Sequence, residues 1–166
     1  MSKITIRRAE AGDLPALLDI YNYYVIHTPV NFDIEPRTLE QRREWFSEFS
    51  DRGKYQCFVA AEGGVVVGYA CSSRFKEKAA YATTIETSIY CAPDFGRKGI
   101  GRRLYETLFE AVKGEDIHRA FGGITLPNAG SVGLHEALGF RRIGAYTEIG
   151  RKFGKFWDVA LYERAI

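Results

Sequence analysis

The chain has 166 residues, 46% of them hydrophobic and 27% charged, with a net charge of +2. It is long enough to bury one real core and too apolar to be a disordered segment. Lysines and arginines are scattered rather than run together, which argues against nucleic-acid or membrane-surface binding but leaves room for a local anion pocket.

The opening Met-Ser-Lys-Ile-Thr-Ile-Arg-Arg has no apolar signal core behind its charges, and no apolar run is long enough to cross a bilayer. Cys57, Cys71 and Cys91 lie in strand-like stretches with no CxxC spacing and no nearby histidine. They read as reduced packing residues, no metal is expected, and the chain reads as cytoplasmic.

Ile4 to Arg8 alternates as a strand does. Asp13 then caps a helix with Pro15 in its first turn, and Leu14, Leu17, Leu18, Tyr21 and Val25 give that helix one apolar face. A proline-bounded loop, Thr28 to Pro36, precedes a capping box at Thr38 and Gln41 and a second helix carrying Leu39, Trp45, Phe46 and Phe49. Gln56 to Glu62 and Val65 to Ser73 are strands joined by Gly63-Gly64, a hairpin signal. A charged connector, Arg74 to Ala80, leads to a strand from Tyr81 to Cys91. Gly96 to Gly101 opens a helix marked by Leu104, Leu108 and Ala111. A strand near Ala120 to Leu126, a helix from about Asn128 to Leu138 stopped by Gly139, and strands near Phe140 to Thr147 and Phe156 to Tyr162 complete the chain. The reading is a single α/β (α+β) domain over residues 1–166. Its mixed central sheet has about seven strands flanked by about four helices.

Gly96-Arg97-Lys98-Gly99-Ile100-Gly101 follows a strand and begins a helix. Helix N-termini carry unpaired N–H groups and partial positive charge, and glycines let an anion approach the backbone. Arg97, Lys98, Arg102 and Arg103 add positive charge. The spacing is not a Walker A loop, since no Gly-Lys-Ser/Thr occurs, nor a dinucleotide fingerprint, since the order is G-x-x-G-x-G in mid-chain. Two polar groups stand out. Glu86 lies within a strand whose alternation puts Thr84, Glu86, Ser88 and Tyr90 on one face, where a carboxylate is disfavoured and is either functional or a structural group at a partly wet face or paired with a lysine. Asn128, Ser131 and His135 share a helix face, where a histidine is either solvated or used for proton exchange.

The strand, glycine turn and helix resemble the acetyl-CoA-binding core of the Gcn5-related N-acetyltransferases, whose signature is Gln/Arg-x-x-Gly-x-Gly/Ala. Leu126 to Phe140, with Asn128 ahead of a helix ending in Leu-Gly-Phe, is similar to the superfamily's second hallmark. More narrowly, the chain resembles the phosphinothricin acetyltransferase family along nearly its whole length. The resemblance is carried by Val30-Asn31-Phe32, Glu35-Pro36, Ala80-Tyr81, Thr84 with Glu86, Ser88-Ile89-Tyr90, Leu104-Tyr105, Leu126-Pro127-Asn128, His135 to Phe140 and Gly154-Lys155 with Trp157-Asp158-Val159.

The resemblance implies acetyl transfer from acetyl-CoA to the amine of a small amino-acid-like acceptor of the phosphinothricin or methionine sulfoximine/sulfone type. Val30-Asn31-Phe32 leans towards the phosphinothricin branch. It implies that main-chain groups of Ile89, Tyr90 and Cys91 hold the pantetheine arm and that Arg97, Lys98, Gly99, Ile100, Gly101 and Arg102 hold the phosphates. Asn128 would contact the arm or orient His135. Glu86 and His135 would be the catalytic pair, with the division into base and acid left open. Phe32 and Tyr81 would wall the acceptor, and Arg74, Lys76 and Lys78 would meet its carboxylate. Gly96 stands where the signature usually has Gln or Arg, so one side-chain contact is expected to be missing. Relatives form dimers, which implies a homodimer. The competing readings are a protein N-terminal or lysine acetyltransferase and a non-catalytic CoA-binding sensor.

Overall fold

The computed structural model describes residues 3–166. Strand β1 (Ile4–Arg8) leads through a single 3-10 turn at Ala11–Asp13 into helix α1 (Leu14–His27). Asp13 does not cap α1 with its side chain, as its position suggests. Its carboxylate accepts two bonds from the Arg7 guanidinium, at 2.7 and 2.8 Å, and one from the Glu10 N–H at 2.8 Å. A bidentate charge-assisted pair outweighs one neutral cap bond. α1 buries Leu14, Leu17, Ile20 and Val25, while Leu18 and Tyr21 are half-buried.

Helix α2 (Leu39–Phe46) starts on the expected reciprocal cap: Gln41 N–H donates to Thr38 Oγ1 at 3.2 Å, and Thr38 N–H donates to Gln41 Oε1 at 2.9 Å. It ends before Phe49 because the Ser47 hydroxyl turns back onto the Glu44 carbonyl.

The remaining strands are β2 (Cys57–Glu62), β3 (Val65–Arg74), β4 (Thr84–Cys91), β5 (Arg119–Thr125), β6 (Arg141–Lys152) and β7 (Lys155–Ala165). Among the described residues they form one seven-stranded sheet in the order β1-β2-β3-β4-β5-β7-β6. Every neighbouring pair is antiparallel except β4 with β5. Gly63 and Gly64, both at positive φ, close the β2–β3 hairpin.

Two regions depart most from the sequence reading. β4 begins at Thr84 rather than Tyr81, because Ala79–Tyr81 forms a 3-10 turn closed by Ala82 N–H on the Ala79 carbonyl at 3.0 Å. The last hairpin runs on to Lys152 and Lys155, turning at Phe153 and Gly154 with φ of 53° and 71°. Register shifts at Arg142/Gly144 and Tyr146/Gly150 break the alternation that marks a strand in sequence.

Helices cover both faces of the sheet. On one face, Leu104, Tyr105 and Leu108 of α3 (Ile100–Ala111) pack with Ile85, Ala120, Ile124 and Phe140. On the other, Leu17 and Ile20 of α1 pack with Val59, Tyr69 and Cys71. Helix α4 (Ala129–Ala137) follows β5.

Candidate active site

β4 and β5 are paired only at Thr84–Arg119, Ile85–Ala120 and Glu86–Phe121. Beyond Glu86 they part, β4 staying with β3 and β5 with β7, so the sheet opens at its centre. The Ala92 N–H donates to the Val67 carbonyl at 2.9 Å, which sets the phase of the β3–β4 ladder. Glu86, Ser88 and Tyr90 therefore commit their main chain to β3, while Thr87, Ile89 and Cys91 turn theirs towards the gap. Of the three positions expected to meet a pantetheine arm, Ile89 and Cys91 face the opening. Tyr90 contributes its side chain instead, its hydroxyl accepting the Asn31 amide at 3.0 Å. The Cys91 carbonyl already accepts the Tyr24 hydroxyl at 2.6 Å.

A cavity of about 580 Å³ fills this gap and extends to the N-terminus of α3. Gly99 takes the N-cap position with φ of 72°, and no side chain caps the helix. The first N–H groups of α3 are thus left for a ligand, at the positive end of the helix dipole. A Cβ at Gly96 or Gly99 would meet nothing, so the turn is open on that side. Gly96 itself has ordinary extended backbone (φ −63°, ψ 153°) and does not require glycine. Arg97, Gly99, Ile100, Gly101 and Arg102 line the cavity. Lys98 does not; its ammonium sits 4.4 Å from the centre of the Phe95 ring. Arg102 shares its charge with Glu106 at 2.7 Å.

Glu86 lines the cavity from the α1–α2 side of the sheet. Burial pushes its carboxyl above the ordinary value of 4.5, with no cation or hydrogen-bond donor among the described residues to offset it. His135 lines the same cavity from the α3 side and is 3% exposed. Its Nδ1 meets the Ser131 carbonyl at 2.8 Å, which can only accept, so Nδ1 carries the proton and Nε2 is the lone-pair nitrogen. The Tyr105 hydroxyl lies 3.4 Å from Nε2. Burial lowers the His135 pKa, partly opposed by the Ser131 bond, so the ring is neutral at pH 7. A Cβ at Gly122 would come within 3.1 Å of Nε2, so this β5 glycine makes room for the ring. Glu86 and His135 are not hydrogen-bonded to each other. They approach one opening from opposite faces of the sheet.

Asn128 caps α4, accepting the Ser131 N–H at 3.1 Å, and touches His135 only through Ser131. The connector basic residues fall elsewhere. Arg74 pairs with Glu77 at 3.1 Å and Lys76 lies over Phe75 and Tyr81, while neither they nor Lys78 line this cavity. Phe32 and Tyr81 are part-exposed; Tyr81 meets Phe75 edge-on, and Phe32 packs on Gly150, where any Cβ would overlap its ring. The loop bearing Phe32 is tied to the last hairpin by the buried Lys152 ammonium, which donates to the Asn31 carbonyl at 2.6 Å.

Tyr105 and Thr87 also line the cavity; sequence marked Tyr105 only as part of a family match and gave neither residue a role. Tyr105 follows Gly101 at helical spacing, so its face was readable, but its contact with His135 depends on how α3 and α4 pack.

The sequence profile of the acetyltransferase (GNAT) family matches residues 17–140. The chain is 48% identical to a phosphinothricin N-acetyltransferase of Streptomyces coelicolor, over 99% of this chain and 98% of the relative. It is 34% identical to an L-methionine sulfoximine/L-methionine sulfone acetyltransferase of Pseudomonas aeruginosa, over 96% and 92% of the two chains. Among solved structures it superposes with a TM-score of 0.93 on a phosphinothricin acetyltransferase from Sinorhizobium meliloti in complex with AcCoA. That structure is 30% identical and is matched over 89% of its length. The chain belongs to the GNAT acetyltransferase family and, within it, to the group that includes the phosphinothricin N-acetyltransferases.

Proposed function

We propose that this protein transfers the acetyl group of acetyl-CoA to the amine of a small amino-acid-like acceptor, of the phosphinothricin or methionine sulfoximine type. The observation that carries the reading is the opening between β4 and β5, which leads from an unpartnered carboxylate to an uncapped glycine-rich helix start. A pantetheine arm fits the gap as an added strand against Ile89 and Cys91, and a pyrophosphate fits the first turn of α3. When bound, acetyl-CoA supplies the thioester carbonyl and the leaving sulfur.

Glu86 removes a proton from the incoming ammonium, directly or through water, and passes it to solvent; its raised pKa brings its basicity closer to that of the amine. An N–H of the open β4 edge, at Ile89 or Cys91, is oriented to stabilise the carbonyl oxygen as it gains charge. His135 Nε2, neutral and held by Ser131 and Tyr105, takes the second amine proton as the C–N bond forms and returns it to the departing sulfur. Asn128 keeps α4, and so Ser131 and His135, in place.

The test is free-thiol release from acetyl-CoA with phosphinothricin, methionine sulfoximine, methionine sulfone, glutamate, a lysine peptide and a polyamine. Turnover on the amino-acid analogues alone is expected. Turnover on the peptide alone would replace this reading with protein acetylation, and acetyl-CoA binding without turnover on any of them would replace it with a sensor.

A further inference from the structure

A second cavity, of about 340 Å³, lies on the Glu86 face of the sheet. It adjoins the first through Ser88 and Tyr90, which line both. No residue of β6 or β7 lines either cavity. The end of their hairpin nevertheless carries a buried cation that reaches the loop between α1 and α2.

Lys152 is 4% exposed and Asn31 6% exposed. The Lys152 ammonium donates to the Asn31 carbonyl at 2.6 Å, a bond that spans 121 positions of sequence. The Lys152 carbonyl in turn accepts the Trp157 indole N–H at 2.9 Å, so the end of the hairpin is braced across its two strands. Among the described residues no carboxylate pairs with this ammonium. Asp33, two positions from Asn31, is engaged by Arg37 at 2.7 and 2.8 Å and by the Tyr21 hydroxyl at 2.6 Å. Setting an ammonium away from water against a neutral carbonyl is costly, and a methionine of similar length would fill the space without that cost. Packing therefore does not account for the lysine.

The bond does account for where Asn31 sits. With its carbonyl held by Lys152, the Asn31 side chain reaches two further groups: its amide donates to the Tyr90 hydroxyl at 3.0 Å, and its oxygen accepts the Asp33 N–H at 2.7 Å. Tyr90 is the phenol common to both cavities, and its ring stacks on Tyr69 with centroids 5.6 Å apart. Val30, next to Asn31, lines the larger cavity. A line of bonds thus runs from the far hairpin, Lys152 to Asn31 to Tyr90, into the strand that carries Glu86. We propose that Lys152 is a positioning residue for acceptor binding: by fixing Asn31 it sets Val30 and the Tyr90 phenol, so the β6–β7 hairpin shapes the acceptor side of the opening without touching the acceptor. The assignment rests on the acetyl-transfer reading above for the identity of the ligand, while the placement of the loop can be measured without turnover.

Steady-state kinetics and amide hydrogen exchange of wild type and Lys152→Met test it, with L-phosphinothricin and L-methionine sulfoximine as acceptors. The acceptor KM is expected to rise about 10-fold in Lys152→Met, with kcat and the acetyl-CoA KM nearly unchanged and the melting temperature not lowered. Exchange across residues 28–36 is expected to quicken about 10-fold while α3 keeps its rate. A lower melting temperature with all three kinetic constants impaired together marks Lys152 as structural only and overturns the proposal, as does an unchanged acceptor KM. Should Lys152→Met not fold, the near-isosteric Tyr90→Phe opens the same line of bonds at its other end. Faster exchange over residues 28–36 in that variant upholds the proposal, and an unchanged rate overturns it. Should wild type turn over neither compound, the acetyl-transfer reading fails on its own terms. Exchange then decides alone: a faster rate confined to residues 28–36 in Lys152→Met upholds the positioning, and a rate equal to that of wild type overturns it.

Discussion

Glu86 occupies a strand position where burial raises its pKa and no cation offsets the cost. Its folded pKa lies above the unfolded value, so its contribution to stability is complete below about 4.5 and is lost as pH rises through the folded pKa. Glu86→Gln is therefore expected to raise the melting temperature at pH 7 while lowering kcat/KM by about 10²- to 10⁴-fold. The acidic limb of the wild-type pH–rate profile should disappear in the same variant. His135 has the opposite sign. Its folded pKa is depressed, so its contribution is present above the unfolded value of 6.5 and fades as pH falls through the folded one. Melting curves of wild type should decline more steeply below pH 6.5 than those of His135→Gln. Glu86 stood out in sequence because a carboxylate sits poorly in a central strand, whereas His135, on a polar helix face where a histidine is ordinarily solvated, was marked out by the family resemblance alone. Arg42 was not legible. Between Gln41 and Arg43, in a helix with mean character as polar as any surface helix, it reads as one more solvated charge, and only the folding of Trp45, Tyr21 and Tyr69 around it shows otherwise.

Two turns and a hairpin set the edges of the site. Gly99 needs its left-handed backbone to begin α3, so Gly99→Ala is strained by about 1–2 kcal/mol and should raise the acetyl-CoA KM with little change in the acceptor KM. Gly150→Ala has the converse effect: its Cβ overlaps the Phe32 ring, so the loop bearing Phe32 must shift, and with that loop walling the acceptor, as the resemblance implies, the acceptor KM should rise while that of acetyl-CoA stays level. Initial-rate measurements with each substrate varied in turn separate the two. The glycine turn was readable because the chemistry proposed for it is local: the residues that would meet an anion are adjacent in sequence. The hairpin was less so. Its bulges interrupt the alternation near Glu148, which has φ of 50°, and its role in holding Phe32 depends on a bond from Lys152 to Asn31, far apart in sequence. The start of β4 was misplaced for a related reason, since Ala80-Tyr81 suits a strand by composition and is claimed by a 3-10 turn.

The sheet with helices on both faces was expected from the order of its elements, and the mixed direction follows from one crossover through α3. What composition could not reveal is where exposed apolar side chains gather. Ile143, Tyr146, Ile149, Phe153 and Phe156 are all about half-exposed on the β6–β7 hairpin at the sheet edge. We propose that a second copy of the chain covers them, giving the homodimer implied by the resemblance. Sedimentation should return twice the chain mass for wild type and a lower mass for Ile149→Glu; a concentration-independent monomer in wild type would remove the idea. The meeting of β4 and β5 also has a consequence for how the chain is assembled. Those three residue pairs are the one parallel seam in the sheet, and every other strand pairing lies wholly within residues 4–91 or within 119–165. The polypeptide is thus two ladders, each complete in itself, zipped together along a short join. Cut at the exposed Lys113–Gly114 turn, it should yield two fragments that recombine when mixed and regain thiol-releasing activity only as a pair.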